Sequence, residues 1–443
     1  MKTPARLCLA LLTALAAMTC AATEAGDYVS VSGTHLRQHG KPYYIAGTNL
    51  WYGAHLGSTG VGGNRPRLLK ELDTLSALGI NNLRVLAISE ASDIPGAVKP
   101  ATTNGFGHYD EQLLVGLDFL LSEMAKRGMT AVLYLNNYWQ WSGGMSQYLA
   151  WVEGEPMKDP EVTGDYPAFI TNSARFYRSD EANKQYRATV AMLLDRVNTI
   201  TNTHYRDDPA IMAWQLANEP RPGVDSASDD DKQIYAQWID DTAKYIHSLD
   251  SHHLVTTGSE GLKGSANDGA LYLKVHSSPY IDYVDFHLWP RNWGWYRPER
   301  PDKSWDETAR RSLDYLQWHL EAAERLHKPM VLDEFGLDRD WGFLAPNTPT
   351  QFRDRFYRLV LNYLYDNAKA GGAAAGSNFW TWSGAGRPRD STYQWQRGDD
   401  LTGDPPQERQ GLNGVYDSDR STLQLIKQQA QQLRALANKD TKP

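Results

Sequence analysis

The sequence predicts an α/β fold, a (β/α)8 TIM barrel with long loops at its C-terminal face. Short apolar, β-branched runs alternate with longer stretches of helical periodicity, and together they give eight strands and about eight helices. The chain has 443 residues, of which 41% are apolar, enough for one large core. Since eight βα units need only about 250 residues, the surplus is expected in loops.

The eight predicted strands are short runs with little polar interruption. Continuous apolar runs are typical of parallel strands that are buried on both faces. They cover residues 43–49, 83–88, 131–135, 211–216, 254–259, 283–286, 330–335 and 377–382.

The predicted helices carry apolar residues three and four positions apart. The first two cover residues 67–78 and 111–127 and end before Gly79 and Gly128. Later ones present faces that include Val190, Leu194 and Val197, then Ile234, Trp238 and Ile246, then Leu313, Leu316 and Leu320, then Phe352, Phe356, Leu359 and Tyr363, and a last helix covers 421–437. Residues 139–178 are predicted to be a long loop. This loop and residues 290–305 are both candidates for walls that close one end of a cleft.

A doubly wound open sheet is the competing fold. It usually carries a glycine-rich phosphate turn after its first strand, and the glycines at 57–63 do not fit that spacing. No Ser- or Pro-rich linker interrupts the alternation. We therefore expect a single domain over residues 27–443.

The first 22 residues have the pattern of a signal peptide. Lys2 and Arg6 precede an apolar stretch at 7–18, and small residues follow at Cys20-Ala21-Ala22. This stretch is too short for a membrane span, which needs about 20 apolar residues. We expect secretion, to the periplasm or outside the cell, with a lipoprotein acylated at Cys20 as the alternative. Cys8 and Cys20 are the chain's two cysteines, so the mature protein would have no disulfide.

Charge and aromatic content restrict the class of ligand. The net charge is −8 with no basic stripe, which argues against nucleic acid as a partner. The chain has 15 Trp, and Trp139, Trp141, Trp293 and Trp295 fall in polar or glycine-rich stretches. Exposed aromatic rings in such loops suit the apolar C–H faces of sugars, while core packing is the competing interpretation for each ring.

Polar residues stand where several predicted strands end. Glu219 follows the fourth strand and Glu334 lies at the end of the seventh; Arg84, His287 and Trp380 belong to the second, sixth and eighth. In a barrel the carboxyl ends of the strands surround one mouth, which is where active sites lie. The sequence therefore brings two carboxylates, a cation, an imidazole and an indole to one place.

These motifs resemble glycoside hydrolase family five. The Asn218-Glu219-Pro220 run and the Glu334-Phe335-Gly336 run are similar to its motifs after strands four and seven. The longer run at 215–221, and His287 ahead of Trp293, resemble the β-mannanase (mannan endo-1,4-β-mannosidase) subfamily. The resemblance covers the whole mature chain.

The resemblance implies a retaining hydrolase of β-1,4-mannan, glucomannan or galactomannan that acts by double displacement and cuts within the chain. Glu219 is implied as acid/base and Glu334 as nucleophile, with Arg84 holding Glu334 ionised and that charge keeping Glu219 protonated. The other implied or candidate substrate-binding residues are Asn218, His287, Trp289, Trp380, Asn137 or Asn136, Trp139 and Trp293. No cofactor or metal is expected, and we expect a monomer whose partner is β-mannan or a manno-oligosaccharide.

Two positions depart from the family. Trp289 stands where the family usually has a Tyr that bonds the nucleophile, and an indole N–H can donate such a bond but cannot accept one. Asp333 precedes the nucleophile, and we interpret it as tolerated variation.

Other functions compete with this one. An exo-acting β-mannosidase is a serious alternative because long loops can close one end of a cleft, and a β-1,4-glucanase or xyloglucanase would use the same chemistry. A non-catalytic binding barrel would be expected to have lost one glutamate. Metal-dependent and Ser-His-Asp hydrolases are disfavoured, since the sequence has no HExxH cluster and no Gly-x-Ser-x-Gly elbow.

Overall fold

The computed structural model describes residues 27–439, which form a barrel of eight parallel strands. The strands are β1 (Ile45–Asn49), β2 (Asn82–Leu86), β3 (Thr130–Tyr134), β4 (Ile211–Gln215), β5 (Leu254–Thr256), β6 (Val284–Leu288), β7 (Met330–Phe335) and β8 (Ala374–Phe379). They pair in the order β5-β4-β3-β2-β1-β8-β7-β6. Across the remaining gap, Asp282 N donates to Val255 O at 2.8 Å and Thr256 Oγ1 to Tyr283 O at 3.0 Å. The predicted barrel is confirmed.

Long helices surround the barrel, as the periodicity predicts. They are Arg65–Leu78, Glu111–Ala125, Asp180–Asp195, Asp229–Leu249, Gly269–His276, Pro301–Leu326, Gln351–Lys369 and Arg420–Lys439. Strand bounds differ from the predictions by a few residues. The largest difference is at β8, predicted at 377–382, because its first residues, Ala374-Ala375-Gly376, are small and carry little strand signal.

The predicted loop at 139–178 is wrong in part, because it contains three helices. They are Gly144–Glu153, Pro160–Thr163 and Tyr166–Ala174, all in the segment that follows β3. Two begin at aspartate caps: Asp159 accepts from Glu161 N at 3.0 Å and Asp165 from Ala168 N at 3.0 Å. An aspartate cap followed by a proline in the first turn is a helix-start signal, and it was present in the sequence at both places.

Small elements complete the described chain. A three-stranded antiparallel sheet of Ser30–Ser32, His35–Gln38 and Lys41–Pro42 brings Val29 and Leu36 into one apolar cluster with barrel residues such as Val132 and Val331. The others are the paired strands Thr103–Gly105 with His108–Tyr109 and Trp382–Gly384 with Val415–Tyr416, the helix Gly53–Gly57, and the 3-10 turns Gln140–Ser142, Arg175–Arg178, Tyr205–Asp207 and Asp340–Gly342.

The predicted signal peptide at 1–22 and both cysteines lie outside the described residues. Between residues 27 and 439, no helix combines the length and apolar character that a bilayer crossing requires.

Candidate active site

The two predicted carboxylates meet at the mouth of the barrel. Glu219 follows β4 and Glu334 is the fifth residue of β7; 7% of Glu219 and 3% of Glu334 are exposed. One oxygen of each carboxylate and one ring nitrogen of His287 all lie within 4.8 Å of one another. The sequence prediction that strand ends four and seven converge is therefore confirmed by position.

The backbone at Glu219 adopts an uncommon conformation. Its φ is +51°, in the left-handed region that non-glycine residues rarely occupy, and Glu219 N donates to Gly258 O at 2.8 Å. Gly258 itself has φ +80°, and a Cβ there would lie 1.8 Å from Ala217 O. Only glycine permits this approach, so Gly258 helps to set the direction of the Glu219 side chain.

Arg84 holds the polar groups below the mouth. Its fully buried guanidinium donates through Nη1 to Glu334 and, at 3.0 Å, to Asn49 Oδ1. It also donates through Nη2 to Asn218 Oδ1 at 2.7 Å and through Nε to Gln215 Oε1 at 2.7 Å. With every nitrogen of its planar fork engaged, Arg84 fixes Glu334 and Asn218 relative to each other.

Glu219 has a different set of donors. Trp139 Nε1 donates to its Oε2 at 2.5 Å, and His287 Nδ1 lies 2.7 Å from its Oε1. The same His287 nitrogen is 3.3 Å from Glu334 Oε2, so the imidazole lies between the two carboxylates.

The pKa shifts of Glu219 and Glu334 have directions opposite to those expected from the sequence. Burial raises the pKa of Glu219, but the hydrogen bonds and charges of His287, Trp139 and Arg221 outweigh it and leave the pKa below its ordinary value. Burial raises the pKa of Glu334, and the neighbouring Glu219 charge adds to this against Arg84 and His287. Burial lowers the pKa of His287, but the charges of Glu334 and Glu219 outweigh it and leave the pKa above its ordinary value.

The site opens into a cavity of about 530 Å³ whose walls are aromatic and polar. Trp380 forms an edge-to-face pair with Trp289 at 6.2 Å and another with Trp141 at 6.5 Å. The lining residues are Trp139, Gln140, Trp141, Tyr166, Asn218, Glu219, Arg221, Asp225, Glu260, Lys263, Trp289, Asn292, Trp293, Glu334, Trp380, Pro405, Gln407, Glu408 and Asn413.

Not every predicted substrate-binding residue lines the cavity. Asn218, Trp289, Trp380, Trp139 and Trp293 do. Those behind the wall are Arg84, His287, Asn136 and Asn137, all fully buried.

The two asparagines orient neighbouring groups, and Trp289 lines the cavity without bonding the nucleophile. Asn137 Oδ1 accepts from Asn218 Nδ2 at 3.2 Å, so it orients Asn218, and Asn136 Oδ1 accepts from Asn137 N at 2.7 Å. Trp289 lines the cavity, and no hydrogen bond joins its indole to the described Glu334 side chain.

The expectation of an exposed ring is wrong for Trp295, whereas Trp139, Trp141 and Trp293 line the cavity, and their role as sugar platforms stays a prediction. Trp141 and Trp295 are buried, and Trp295 packs on Trp293 at 4.8 Å and on Tyr315 at 5.8 Å. Trp139 and Trp293 are partly buried and point their N–H groups at carboxylates, Trp293 at Glu260 over 2.9 Å. The polar neighbours of these tryptophans gave no sign of burial in the sequence, because the contacts that bury Trp295 come from Tyr315 on the helix Pro301–Leu326.

Sequence reasoning missed a charged pair in the cavity wall. Arg221 donates to Glu260, and its guanidinium carbon lies 5.4 Å from the centre of the Trp139 ring. Arg221 belongs to the motif at 215–221, but no role was predicted for it. Glu260 lies just beyond β5, and no motif surrounds it in the sequence. The wall residues Pro405, Gln407, Glu408 and Asn413 come from a loop with no periodicity, so no signal identified them.

The geometry of Glu219, His287 and Glu334 also matches a possible metal set among residues 27–439. His287 Nδ1 is already bonded to Glu219, and the Arg84 guanidinium bonded to Glu334 opposes a second cation at that carboxylate. We interpret the three side chains as an acid–base set.

Comparisons with known proteins identify the family of this chain. The model described as GH family 5 beta-mannosidase-like matches residues 26–438. A putative mannan endo-1,4-beta-mannosidase 4 of Arabidopsis thaliana is 31% identical over 389 residues, 84% of this chain and 87% of the relative. The mannan endo-1,4-beta-mannosidase 4 of Solanum lycopersicum is 30% identical over 383 residues, 83% and 86% of the two chains.

Solved structures agree as well. The glycoside hydrolase family 5 mannosidase from Rhizomucor miehei is 34% identical, with a TM-score of 0.85 over 94% of this chain and 100% of that one. A point mutant of that mannosidase was solved in complex with mannosyl-fructose and has a TM-score of 0.86, at 34% identity over 95% and 100%. The chain therefore belongs to the β-mannosidase-like group of glycoside hydrolase family 5 and is a glycoside hydrolase.

Proposed function

We propose that this enzyme hydrolyses β-1,4-mannosidic bonds with retention, using Glu334 as nucleophile and Glu219 as acid/base. The carrying observation is the approach of their carboxylate oxygens to within 4.8 Å. Retaining enzymes place the two carboxyl groups about 5–5.5 Å apart, whereas inverting enzymes need about 6.5–9.5 Å to admit a water between them.

The reaction has two displacements. Glu334 forms an ester with the anomeric carbon while Glu219 gives its proton to the glycosidic oxygen, and the bond to the leaving sugar breaks. Glu219 then takes a proton from water, the water oxygen bonds to the anomeric carbon, and Glu334 leaves as a carboxylate. Arg84 stabilises that carboxylate, and Asn218 is placed to bond the sugar 2-hydroxyl.

In this proposal, His287 passes to Glu219 the proton that the first step needs. His287 Nδ1 lies 2.7 Å from Glu219 Oε1, and its hydrogen bond and charge lower the pKa of Glu219. Moving one proton along this hydrogen bond converts Glu219 into the acid.

The substrate class follows from the relatives. The plant relatives are named mannan endo-1,4-β-mannosidases, and the Rhizomucor mutant structure carries mannosyl-fructose. A panel of mannan, glucomannan, galactomannan, cellulose and xylan tests the class, and NMR of the first product tests the stereochemistry. We expect cleavage of the mannans with the β-anomer appearing first. An α-anomer as the first product would exclude retention, and faster cleavage of cellulose would favour the glucanase alternative.

The cavity walls favour action at a chain end over the internal cleavage expected from the sequence. The leaving sugar must lie beside Glu219, toward Arg221 and Glu260, so the other sugar lies over Trp380. The lining residues follow β3 to β8, and none comes from the described loops after β1 and β2.

The loop after β2 packs against the outside of the cavity wall, near Gln407 and Trp141. A Cβ added to Gly96, in the loop after β2, would lie 2.7 Å from Gln407 Cβ. Val98 N donates to Trp141 O at 2.7 Å, which joins this loop to the aromatic wall. Space beyond the reacting sugar is therefore restricted, which supports release from the non-reducing end.

We expect mannohexaose labelled at its reducing end to give mannose and labelled mannopentaose as first products. Mass spectrometry of early time points identifies which end loses the sugar. Early labelled mannobiose and mannotriose would contradict action at the chain end and favour the endo alternative. Intact mannan serves as the matched polymer substrate, on which an exo-acting enzyme releases mannose without a rapid fall in viscosity.

The Trp139 indole is expected to set the alkaline limit of activity. In Trp139→Phe, Glu219 loses a donor that favours its charged form, so its pKa rises. Because the first step needs Glu219 protonated, the alkaline limb of the kcat/KM profile should move to higher pH. Trp141→Phe is the control, as its ring lines the same cavity without bonding Glu219. Equal shifts in both variants would show that the hydrogen bond is not responsible.

A further inference from the structure

Two aspartates lie behind the candidate nucleophile and face one amide. Asp333 on β7 and Asp285 on β6 are both fully buried. The Gln215 Nε2 group donates to Asp333 Oδ2 at 2.6 Å and lies 3.2 Å from Asp285 Oδ2. The other end of that amide, Oε1, accepts from Arg84 Nε at 2.7 Å, and Arg84 donates onward to Glu334.

The hydrogen-bonding rules allow only one orientation of this amide. A carboxylate can only accept and a guanidinium can only donate, whereas an amide donates at nitrogen and accepts at oxygen. If the Gln215 amide were flipped, its NH₂ would face the Arg84 donor and its oxygen would face two acceptors. All four groups are buried, so such a mismatch would be strongly destabilising.

We propose that Asp333 is a positioning residue: it fixes the Gln215 amide, and through it the Arg84 guanidinium, against Glu334. This inference rests on the proposed role of Glu334 as nucleophile. It replaces the interpretation of Asp333 as tolerated variation.

Asp285 and Asp333 differ in the number of hydrogen bonds that their carboxylates accept. Asp285 also accepts from Thr257 Oγ1 at 2.5 Å, from His276 Nε2 at 3.0 Å and from Gly258 N. These donors outweigh burial and lower its pKa, so Asp285 carries the negative charge. Asp333 Oδ1 has no partner among the described residues. Asp285 is anchored without Gln215, and Asp333 depends on it.

The surroundings favour a proton on Asp333. Burial and the Asp285 charge raise its pKa to about 7, while Arg84 and His287 act in the opposite direction. Burial and the Asp333 charge likewise raise the pKa of the buried Tyr283 phenol. A protonated Asp333 can carry its proton on the unpartnered Oδ1 and still accept from Gln215 through Oδ2. The Gln215 amide therefore keeps its orientation whether Asp333 is protonated or ionised.

Two substitutions at this position separate orientation from charge. Asn has the same shape, keeps an oxygen toward Gln215 and cannot titrate, whereas Leu offers no acceptor. For Asp333→Leu we expect kcat on an aryl β-mannoside to fall about 10- to 100-fold with little change in KM, since small displacements of reacting groups have effects of this size. The acid limb of kcat/KM should move to higher pH, because a displaced Arg84 stabilises ionised Glu334 less well. Asp333→Asn should stay within about threefold of wild type, with its acid limb unmoved.

The result that overturns the proposal is an Asp333→Leu protein with wild-type kcat and acid limb. If Asp333→Asn loses as much as Asp333→Leu, the charge and not the orientation is responsible, and the proposal also fails. If the leucine variant does not fold, Gln215→Met removes the amide itself. It must reproduce the fall in kcat and the acid-limb shift, and wild-type behaviour would refute the proposal.

Failure of this inference can be told apart from failure of the proposed function. Azide rescue of Glu334→Ala tests the nucleophile without involving Asp333. If azide rescues Glu334→Ala while the Asp333 and Gln215 variants behave like wild type, only the positioning role is excluded. If azide does not rescue Glu334→Ala, the nucleophile assignment on which that role rests is excluded.

Discussion

Replacement of Glu334 by alanine is expected to lower kcat by at least about 10⁴-fold, because the covalent intermediate can no longer form. Glu334 lies with 3% of its surface exposed and is bonded to Arg84 and close to His287. No other carboxylate of the described chain shares that position. Turnover of an aryl β-mannoside, followed by release of the phenol, measures the loss.

Azide is the decisive addition to this variant. It is small enough to enter the space left by the side chain and attacks the anomeric carbon from the nucleophile's side, so the expected product is the α-mannosyl azide. Glu408→Ala is a matched control, since Glu408 lines the same cavity but its removal leaves Glu334 in place. Recovery of the β-azide from Glu334→Ala, or no recovery at all, would refute the assignment. Thermal melts establish that the variant is folded despite leaving Arg84 with one fewer partner.

Replacement of Glu219 by alanine is expected to lower kcat on manno-oligosaccharides by about 10²- to 10⁴-fold, the usual contribution of a general acid or base. The effect depends on the leaving group. A sugar alkoxide needs the proton from Glu219, whereas a dinitrophenolate leaves without it. With the activated substrate, the first step should persist and the second should be slow, because no base remains to activate water.

Rapid-quench kinetics therefore should show a burst of dinitrophenol equal to the enzyme concentration. Azide should accelerate the steady state and give the β-azide, opposite in configuration to the product from Glu334→Ala. Glu260→Gln is the matched control, since Glu260 lines the cavity and bonds Arg221 and Trp293 but not the scissile oxygen in this proposal. An equal loss with both leaving groups in Glu219→Ala would contradict the acid role.

Periodicity and strand ends explain why so much of the site was predictable. All eight predicted strands exist, and the run at 330–335 was placed with the observed bounds. Once the barrel was inferred, each strand end had to face one mouth, so Glu219 and Glu334 were expected together. Arg84 followed from the same rule, since it lies on β2 with its side chain turned into the barrel.

The wall of the cavity was not predictable in the same way. Residues 386–414 contain no repeating apolar period, and their fold depends on contacts such as that of Gln407 with Gly96. The helices within 139–178 had local start signals at Asp159 and Asp165, but they are short, with 4 and 9 residues after these caps, so they show little helical periodicity. Trp295 was expected at the surface because its neighbours in sequence are polar, and its burial comes from the helix that carries Tyr315.

The sequence by itself determined the barrel, the family and the pairing of Glu219 with Glu334, because these depend on local patterns and on a topology that repeats. Only the tertiary structure decided the directions in which the pKa values of the two carboxylates shift, the residues that line the cavity and the position of Asp333 behind Gln215. The physical reason is that pKa, enclosure and hydrogen-bond orientation depend on distances between groups far apart in the chain. Asp333 and Gln215 are separated by 118 positions, yet the amide of one donates to the carboxylate of the other at 2.6 Å.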